Sequence, residues 1–438
     1  MSGALRHRVA LLQFPFLAGA GMAGFLLPQA IGIVRNPSLV PESGLNKALL
    51  MCSLCCAAVY FGWRQPAPRR WLSRPPHPAP LRSVFWLGVL LTGVGMFGYW
   101  KLTSLTGGVA EYYSTRGNYA LSWAGLPVVY YFISTYMLAG SALCGFSALA
   151  LKSKLRLLPV CTVALIQLAA IVFLGRRSVA IELLVALACL AFFGKGWFPP
   201  RTVLLILAPV LALAMFVAPE YRTHSQLGGD SERIKDIDPA RTLGTVLEGS
   251  QGEFWSLCYL VQVTDDRALH QFGAGLYNTF VAYFVPKILV GEDVKRGLFL
   301  HVESPESTAN DFGWDMPYGM VATGAGTAYV QFWFPGCLCF YALARFMRYL
   351  WARATVNRDI FAQVGYALFA TPAIGCLTND MYGIYGPLFM FWLPLLAVQK
   401  LDLLSAARNV PRTLTAGGVR TLQHPSPLRR NQFAVHDP

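Results

Sequence analysis

An all-α polytopic membrane protein, with about ten transmembrane helices and one large loop held outside the cytoplasm, is what this sequence predicts. Three observations carry the prediction. First, 55% of the 438 residues are hydrophobic and 13% are charged, with a mean hydropathy of +0.45. Soluble domains carry about 25% charged residues, so a chain this apolar has lipid as its main solvent. Second, the apolar residues fall into runs of about 20, the length that crosses the hydrocarbon core as a helix. Third, Lys and Arg gather in short clusters between those runs, as in cytoplasmic membrane loops.

In chain order, the runs cover 9–34, 46–63, 83–100, 128–151, 157–175, 178–194, 202–218, 318–344, 360–378 and 384–399. The opening MSGALRHR resembles the start of a signal sequence. The uncharged stretch from Val9 to Val34 is longer than a signal h-region, so it is expected to stay in place as the first span. Only Arg176 and Arg177 separate the fifth and sixth spans, which must therefore form a tight hairpin.

Orientation follows from the basic residues. With the N-terminus in the cytoplasm, the inside segments hold Arg6 and Arg8; Arg64, Arg69, Arg70, Arg74 and Arg82; Lys152, Lys154 and Arg156; Lys195 and Arg201; and Arg345, Arg348, Arg353 and Arg358. The short outside loops hold only Arg35, Lys47, Lys101, Arg116, Arg176 and Arg177. The asymmetry places both termini in the cytoplasm.

Residues 219–317 break the apolar pattern and hold most of the chain's 22 acidic residues. By parity this loop lies outside, where long loops translocate largely regardless of charge. Within it, 272–291 is apolar enough to suggest a span. One more span would place Arg345 to Arg358 outside, so this stretch is read as a helix lying on the outer membrane face and ended or kinked at Pro286. The expected organisation is transmembrane helices 1–7 over 1–218, the large loop with short interfacial helices over 219–317, helices 8–10 over 318–400, and a basic cytoplasmic tail over 401–438. The tail's composition, rich in Arg, Pro, Ser and Thr, builds no core.

Composition excludes other classes. The net charge of +14 is dispersed along the chain instead of forming one patch, which argues against a nucleic-acid partner. Cys52, Cys55 and Cys56 lie in an apolar run with no His or acid beside them, so they read as small buried residues and neither a zinc site nor a disulfide framework is expected. The basic loop 64–82 reads as a topology signal and a contact for anionic lipids.

Candidate functional residues are those that break the placement rules. Arg176 and Arg177, in LGRRSVAIELL, sit at an outside hairpin tip where positive charge is disfavoured, with Glu182 about a turn and a half into the next helix. Two readings stand here. The arginines snorkel to lipid headgroups, or they grip the phosphate or pyrophosphate of an outer-leaflet lipid through their planar forks. Arg222 and Arg241, Arg233 among acids, and Lys287 beside Pro286 extend the set of outside cations, with interfacial anchoring or solvated ion pairs as the competing roles. Arg116, in EYYSTRGNYALSW, is flanked by aromatics that suit either a glycan groove or an interfacial belt. The candidate bases are Glu253, His301, Glu303, Glu306, Asp311 and Asp315. Glu253, in SQGEFWSL, stands out because apolar neighbours would desolvate it. Asp380 marks an outside helix end, as a cap or a site residue.

The order of these features resembles the bacterial oligosaccharide repeat unit polymerases, the Wzy or O-antigen polymerase type. Three stretches carry the resemblance: GRRSVAIELL, GAGLYNTFVAYFVPKILVGED and GAGTAYVQFWFPGCLCFYALARF, together spanning Gly175 to Phe346. In the second, Lys287 stands where the family usually has Arg, and the Trp and Lys-Pro that often follow are missing. In the third, Pro335–Gly336 and Tyr329 hold the places of the family's aromatic-Gly pair.

The resemblance implies a GT-C-like, metal-independent glycosyltransferase in the bacterial inner membrane, needing no cofactor. It implies substrates that are undecaprenyl-pyrophosphate-linked oligosaccharides, joined at the periplasmic face into a surface or exopolysaccharide, and partners that include a chain-length regulator and a flippase. Arg176, Arg177, Arg222, Arg116, Arg241 and Lys287 would meet pyrophosphate or glycan, and Glu253 would take the acceptor proton. An O-antigen ligase-like transferase remains open, because such ligases use a loop His and His224, His270 and His301 are present. A transporter predicts internal repeats and midplane charges, and the sequence shows no repeat.

Overall fold

The computed structural model describes residues 8–66, 68, 81–114, 126–174, 176–200, 203, 217, 221, 237–248, 252–285, 287–303, 305 and 323–392. All regular elements among them are helical. Seven helices are long and apolar enough to cross a membrane: Phe14–Arg35, Glu42–Arg64, Leu81–Leu105, Val129–Ala150, Leu155–Leu174, Ser178–Lys195 and Ile360–Thr378. They fall on seven of the ten apolar runs, and the chain is a multi-pass α-helical membrane protein. Of the run at 202–218 only residues 203 and 217 are described, and the tail 401–438 lies outside the described residues.

The elements are α1 (Phe14–Arg35), α2 (Glu42–Arg64), α3 (Leu81–Leu105), α4 (Val109–Ser114), α5 (Leu126–Ala150), α6 (Leu158–Leu174), α7 (Arg177–Lys195), α8 (Pro239–Glu248), α9 (Glu253–Asp266), α10 (Ala274–Phe284), α11 (Glu292–Leu298), α12 (Gly324–Phe332), α13 (Cys337–Val356) and α14 (Ile360–Thr378). The tight hairpin is present, with α6 ending at Leu174 and α7 beginning at Arg177.

Helix α14 is apolar on every side, and Val364, Tyr366, Phe369, Ala370 and Ala373 are fully buried. A helix of that character belongs at the centre of a bundle, and α1, α5, α7 and α13 pack around it. Helix α6 is the opposite case. Leu158, Leu165, Leu168 and Val172 are exposed, an apolar surface that water would not tolerate at this extent and that lipid covers. Helices α3 and α5 form the broadest pair among the described residues. Gly88 and Gly98 let their backbones approach, since a Cβ at either would meet α5 within 2.7–2.8 Å; small residues at the seam replace the hydrophobic drive that lipid removes.

The bundle has two chemically distinct ends. At one, the Arg345 guanidinium donates to the carbonyl of Gln65, just past α2, and Arg353 pairs with the buried Asp359 that caps α14. At the other, Lys47 near the start of α2 meets α9 and α12. Helix α9 crosses this second end almost wholly buried, with Phe254, Leu257, Cys258, Leu260 and Val261 in the core.

The run at 318–344 is not one continuous helix. Its described part begins at α12, stops at Phe332, turns through Trp333 and the short helix Phe334–Gly336, and resumes as α13. Arg345, Arg348 and Arg353 consequently lie within α13 instead of following a span. Pro335 has no N–H to give to a continuing helix, and Gly336 seats its backbone against the carbonyl of Ala328. The stretch 272–291 is helical from Ala274 to Phe284 and again from Lys287 to Val290; Pro286, where a break is expected, lies outside the described residues.

Candidate functional site

The densest polar cluster among the described residues lies at the Lys47 end, where α2, α9, α12 and the turn after α9 converge. Asp265, in the last turn of α9, is its centre. Lys47 of α2 donates to its Oδ2. The Tyr329 hydroxyl, from the buried helix α12, donates to both carboxylate oxygens at 2.9 Å. His270 Nε2 faces Oδ1 at 3.4 Å. The Trp333 indole N–H donates to the Tyr329 hydroxyl at 2.9 Å. A carboxylate in an apolar bundle is costly unless partnered, and this one is surrounded by donors.

A second polar chain continues from it. The Gln271 backbone N–H donates to the carbonyl of Val330 at 2.9 Å. The Gln331 amide donates to Gln271 at 2.6 Å and to the Tyr382 hydroxyl at 3.2 Å. Asp380 accepts from Thr327 and from the backbone of Tyr382, both at 3.1 Å, and so serves as a cap that ties α12 to the turn after α14. Residues 270–273 therefore run beside 329–332.

The backbone at this cluster is held in rarely used conformations. Ala268, Phe272 and Trp333 have φ of 53°, 48° and 57°. Each such non-glycine residue costs about 1–3 kcal/mol, and such residues concentrate at functional sites. The other imidazole nitrogen of His270, Nδ1, is buried with no hydrogen-bond partner among the described residues. Chemically, the arrangement is an imidazole facing a carboxylate, with a lysine and a tyrosine fixing the carboxylate.

Apart from His270 and Asp380, the described residues singled out in the sequence make contacts of their own elsewhere. Glu253 opens α9, where its Oε2 accepts from the Gln29 amide at 3.0 Å while Gln29 Oε1 accepts from the Phe254 N–H at 2.9 Å. This reciprocal pair fastens α9 to α1. Arg176 sits at the hairpin tip beside Tyr113, whose hydroxyl bonds Tyr99 at 2.8 Å. Burial and the Tyr99 hydroxyl hold the Tyr113 phenol well above its usual range, and the Arg176 charge pulls in the opposite direction. Arg177 forms the first turn of α7 and Glu182 its second. Arg241 is exposed on α8. Lys287 pairs with Glu292 at 3.4 Å on an exposed turn, and His301 and Glu303 are exposed after α11. Arg116, Arg222, Arg233, His224, Glu306, Asp311 and Asp315, and the side chain of Arg177, lie outside the described residues.

Lys47, Asp265 and Tyr329 were not singled out in the sequence as site residues. Their contacts join positions 218 and 64 residues apart, and only the acid at the end of an apolar stretch gave a local signal. Comparison with known proteins identifies no relative: no protein-family model, curated protein or solved structure matches the chain.

Proposed function

We propose that the chain is a glycosyltransferase that polymerises undecaprenyl-pyrophosphate-linked oligosaccharides at the extracytoplasmic face of the bacterial inner membrane. One observation carries the reading: an oriented histidine–aspartate pair at the loop-bearing end of an otherwise apolar helical bundle, the end that the distribution of arginines assigns to the outside. The resemblance of GRRSVAIELL and its two companion stretches to the repeat unit polymerases supports the same class.

In this reading the acceptor hydroxyl of one lipid-linked unit attacks the anomeric carbon of the growing chain. The new C–O bond forms as the bond to pyrophosphate breaks, and undecaprenyl pyrophosphate leaves. Arg176 and Arg177 stabilise the charge developing on the leaving group, with Arg222, Arg116, Arg241 and Lys287 as further contacts for pyrophosphate or glycan. The acceptor proton goes to His270, oriented by Asp265, in preference to Glu253, which anchors a helix through Gln29. Holding two membrane-anchored reactants in register supplies much of the remaining rate. Chain-length regulator and flippase partners belong to the same reading.

The test is deletion of the gene followed by analysis of lipid-linked glycans. Accumulation of one-unit intermediates is expected. Long chains left unligated on lipid point instead to a ligase, for which a loop histidine is the specific favouring observation, and an unchanged glycan profile removes the transferase reading.

A further inference from the structure

Two aromatic side chains, Phe272 beside His270 and Trp333 beside Tyr329, are placed in a way that packing does not explain. Phe272 is 79% exposed and Trp333 is 50% exposed, yet both stand on left-handed backbone, with φ of 48° and 57°. The unfavourable backbone is a cost that both residues carry while their rings stay outside the packed core. The segments that carry them adjoin: Gln271 N–H bonds Val330 O at 2.9 Å, and a Cβ on Gly273 would touch the Phe332 ring at 3.4 Å. The two rings are linked through His270 and Tyr329. The His270 ring lies 6.3 Å from Phe272 and 5.7 Å from Tyr329, and Tyr329 holds the Trp333 indole by its N–H.

An interfacial belt accounts poorly for this arrangement. A belt tryptophan needs its ring at headgroup depth and its N–H in water, as Trp100 shows: it is exposed on a regular helix with Lys101 over its ring. Trp333 instead has its N–H bound inward to a buried tyrosine, which fixes the ring edge; the Phe334 ring leans on it at 5.1 Å, and half of the Trp333 side chain stays exposed. Flat apolar faces with hydrogen-bonding groups between them match a pyranose, which has an apolar C–H face and a rim of hydroxyls. Around the rings stand His270, whose side chain is 20% exposed, and Lys47, whose side chain is 35% exposed.

We infer that Phe272 and Trp333 form a saccharide-binding subsite that holds a pyranose ring over His270. The inference deepens the proposed transferase reading and rests on it for the identity of the bound sugar as the acceptor. Binding itself is independent of that reading.

The test uses the full-length protein in nanodiscs and saturation-transfer NMR with methyl glucoside, galactoside, N-acetylglucosaminide and rhamnoside as probes. Phe272→Gly is the principal variant. It removes a mostly exposed ring and relieves the positive φ, so the fold is retained or gains stability. Wild type is expected to saturate the C–H protons of at least one probe. Phe272→Gly should weaken that binding about tenfold, the value of one aromatic stacking contact. Trp333→Ala should do the same, Trp333→Phe should retain part of the binding, and Trp100→Ala should leave it intact. The inference is overturned if no probe is saturated, or if Phe272→Gly and Trp333→Ala both bind as wild type does. The two proposals fail separately. Saccharide binding at Phe272 with an unchanged glycan profile on gene deletion leaves the subsite and removes the transferase. Confirmed polymerisation with binding indifferent to both variants does the reverse.

Discussion

Replacing the Lys47–Asp265 pair one residue at a time should show a coupling that neither residue has alone. At 4 Å and an effective dielectric of 20, opposite charges attract by about 4 kcal/mol. The side chains are 35% and 18% exposed, so solvent screening and desolvation reduce the net coupling to about 1–2 kcal/mol. Asp265→Asn also removes the charge-assisted bonds from Tyr329 and leaves Lys47 facing donors, for a loss of about 3 kcal/mol. Lys47→Met should cost about 1–2 kcal/mol. The double variant should then lose less than the sum of the two, by about 1–2 kcal/mol. Unfolding in mixed micelles, titrated with SDS and followed by circular dichroism, supplies the cycle. Additivity within about 0.5 kcal/mol would refute the ion pair as the organising contact of this site.

Four further outcomes are expected. Arg176→Ala combined with Arg177→Ala should leave single repeat units on lipid and abolish polymer; a normal ladder on gels of cell-surface glycan would return these arginines to lipid anchoring. Glu253→Gln should keep transfer within about threefold of wild type and cost about 1 kcal/mol of stability, since a neutral amide still accepts from Gln29; a dead but folded enzyme would restore Glu253 as the base. Tyr329→Phe should lower transfer at least tenfold, because it frees both Asp265 and Trp333, as measured by turnover of purified protein. Gly324→Ala should abolish the monodisperse peak in size-exclusion chromatography, since a methyl group there lands on the Cys376 carbonyl, whereas Gly19→Ala, with open space around it, should leave the peak unchanged.

The spans were legible because each is a continuous chemical signal: α2, α3 and α14 read as apolar runs with basic residues past one end. The α6–α7 hairpin was legible for the same reason, as two charged residues between two such runs. The break at Trp333 was written locally as Trp-Phe-Pro-Gly, but an apolar run conceals it, because composition alone does not register a missing N–H. The Asp265 cluster was not legible. Nothing near Lys47 in the sequence announces Asp265 or Tyr329, and their meeting depends on how α9 lies across α2 and α12. Glu253 shows how packing adds a role that the sequence does not announce. Its apolar neighbours suggested a desolvated base, while the packing gives it Gln29 and the start of a helix.

The most direct measurement of the central claim is reconstitution of the purified protein in proteoliposomes with lipid-linked repeat units as the only substrate. The account predicts a ladder of products that shortens to the single unit when His270 is changed to Gln in a folded protein. Failure of the wild-type protein to lengthen any lipid-linked unit, or an unaltered ladder from the His270 variant, contradicts it.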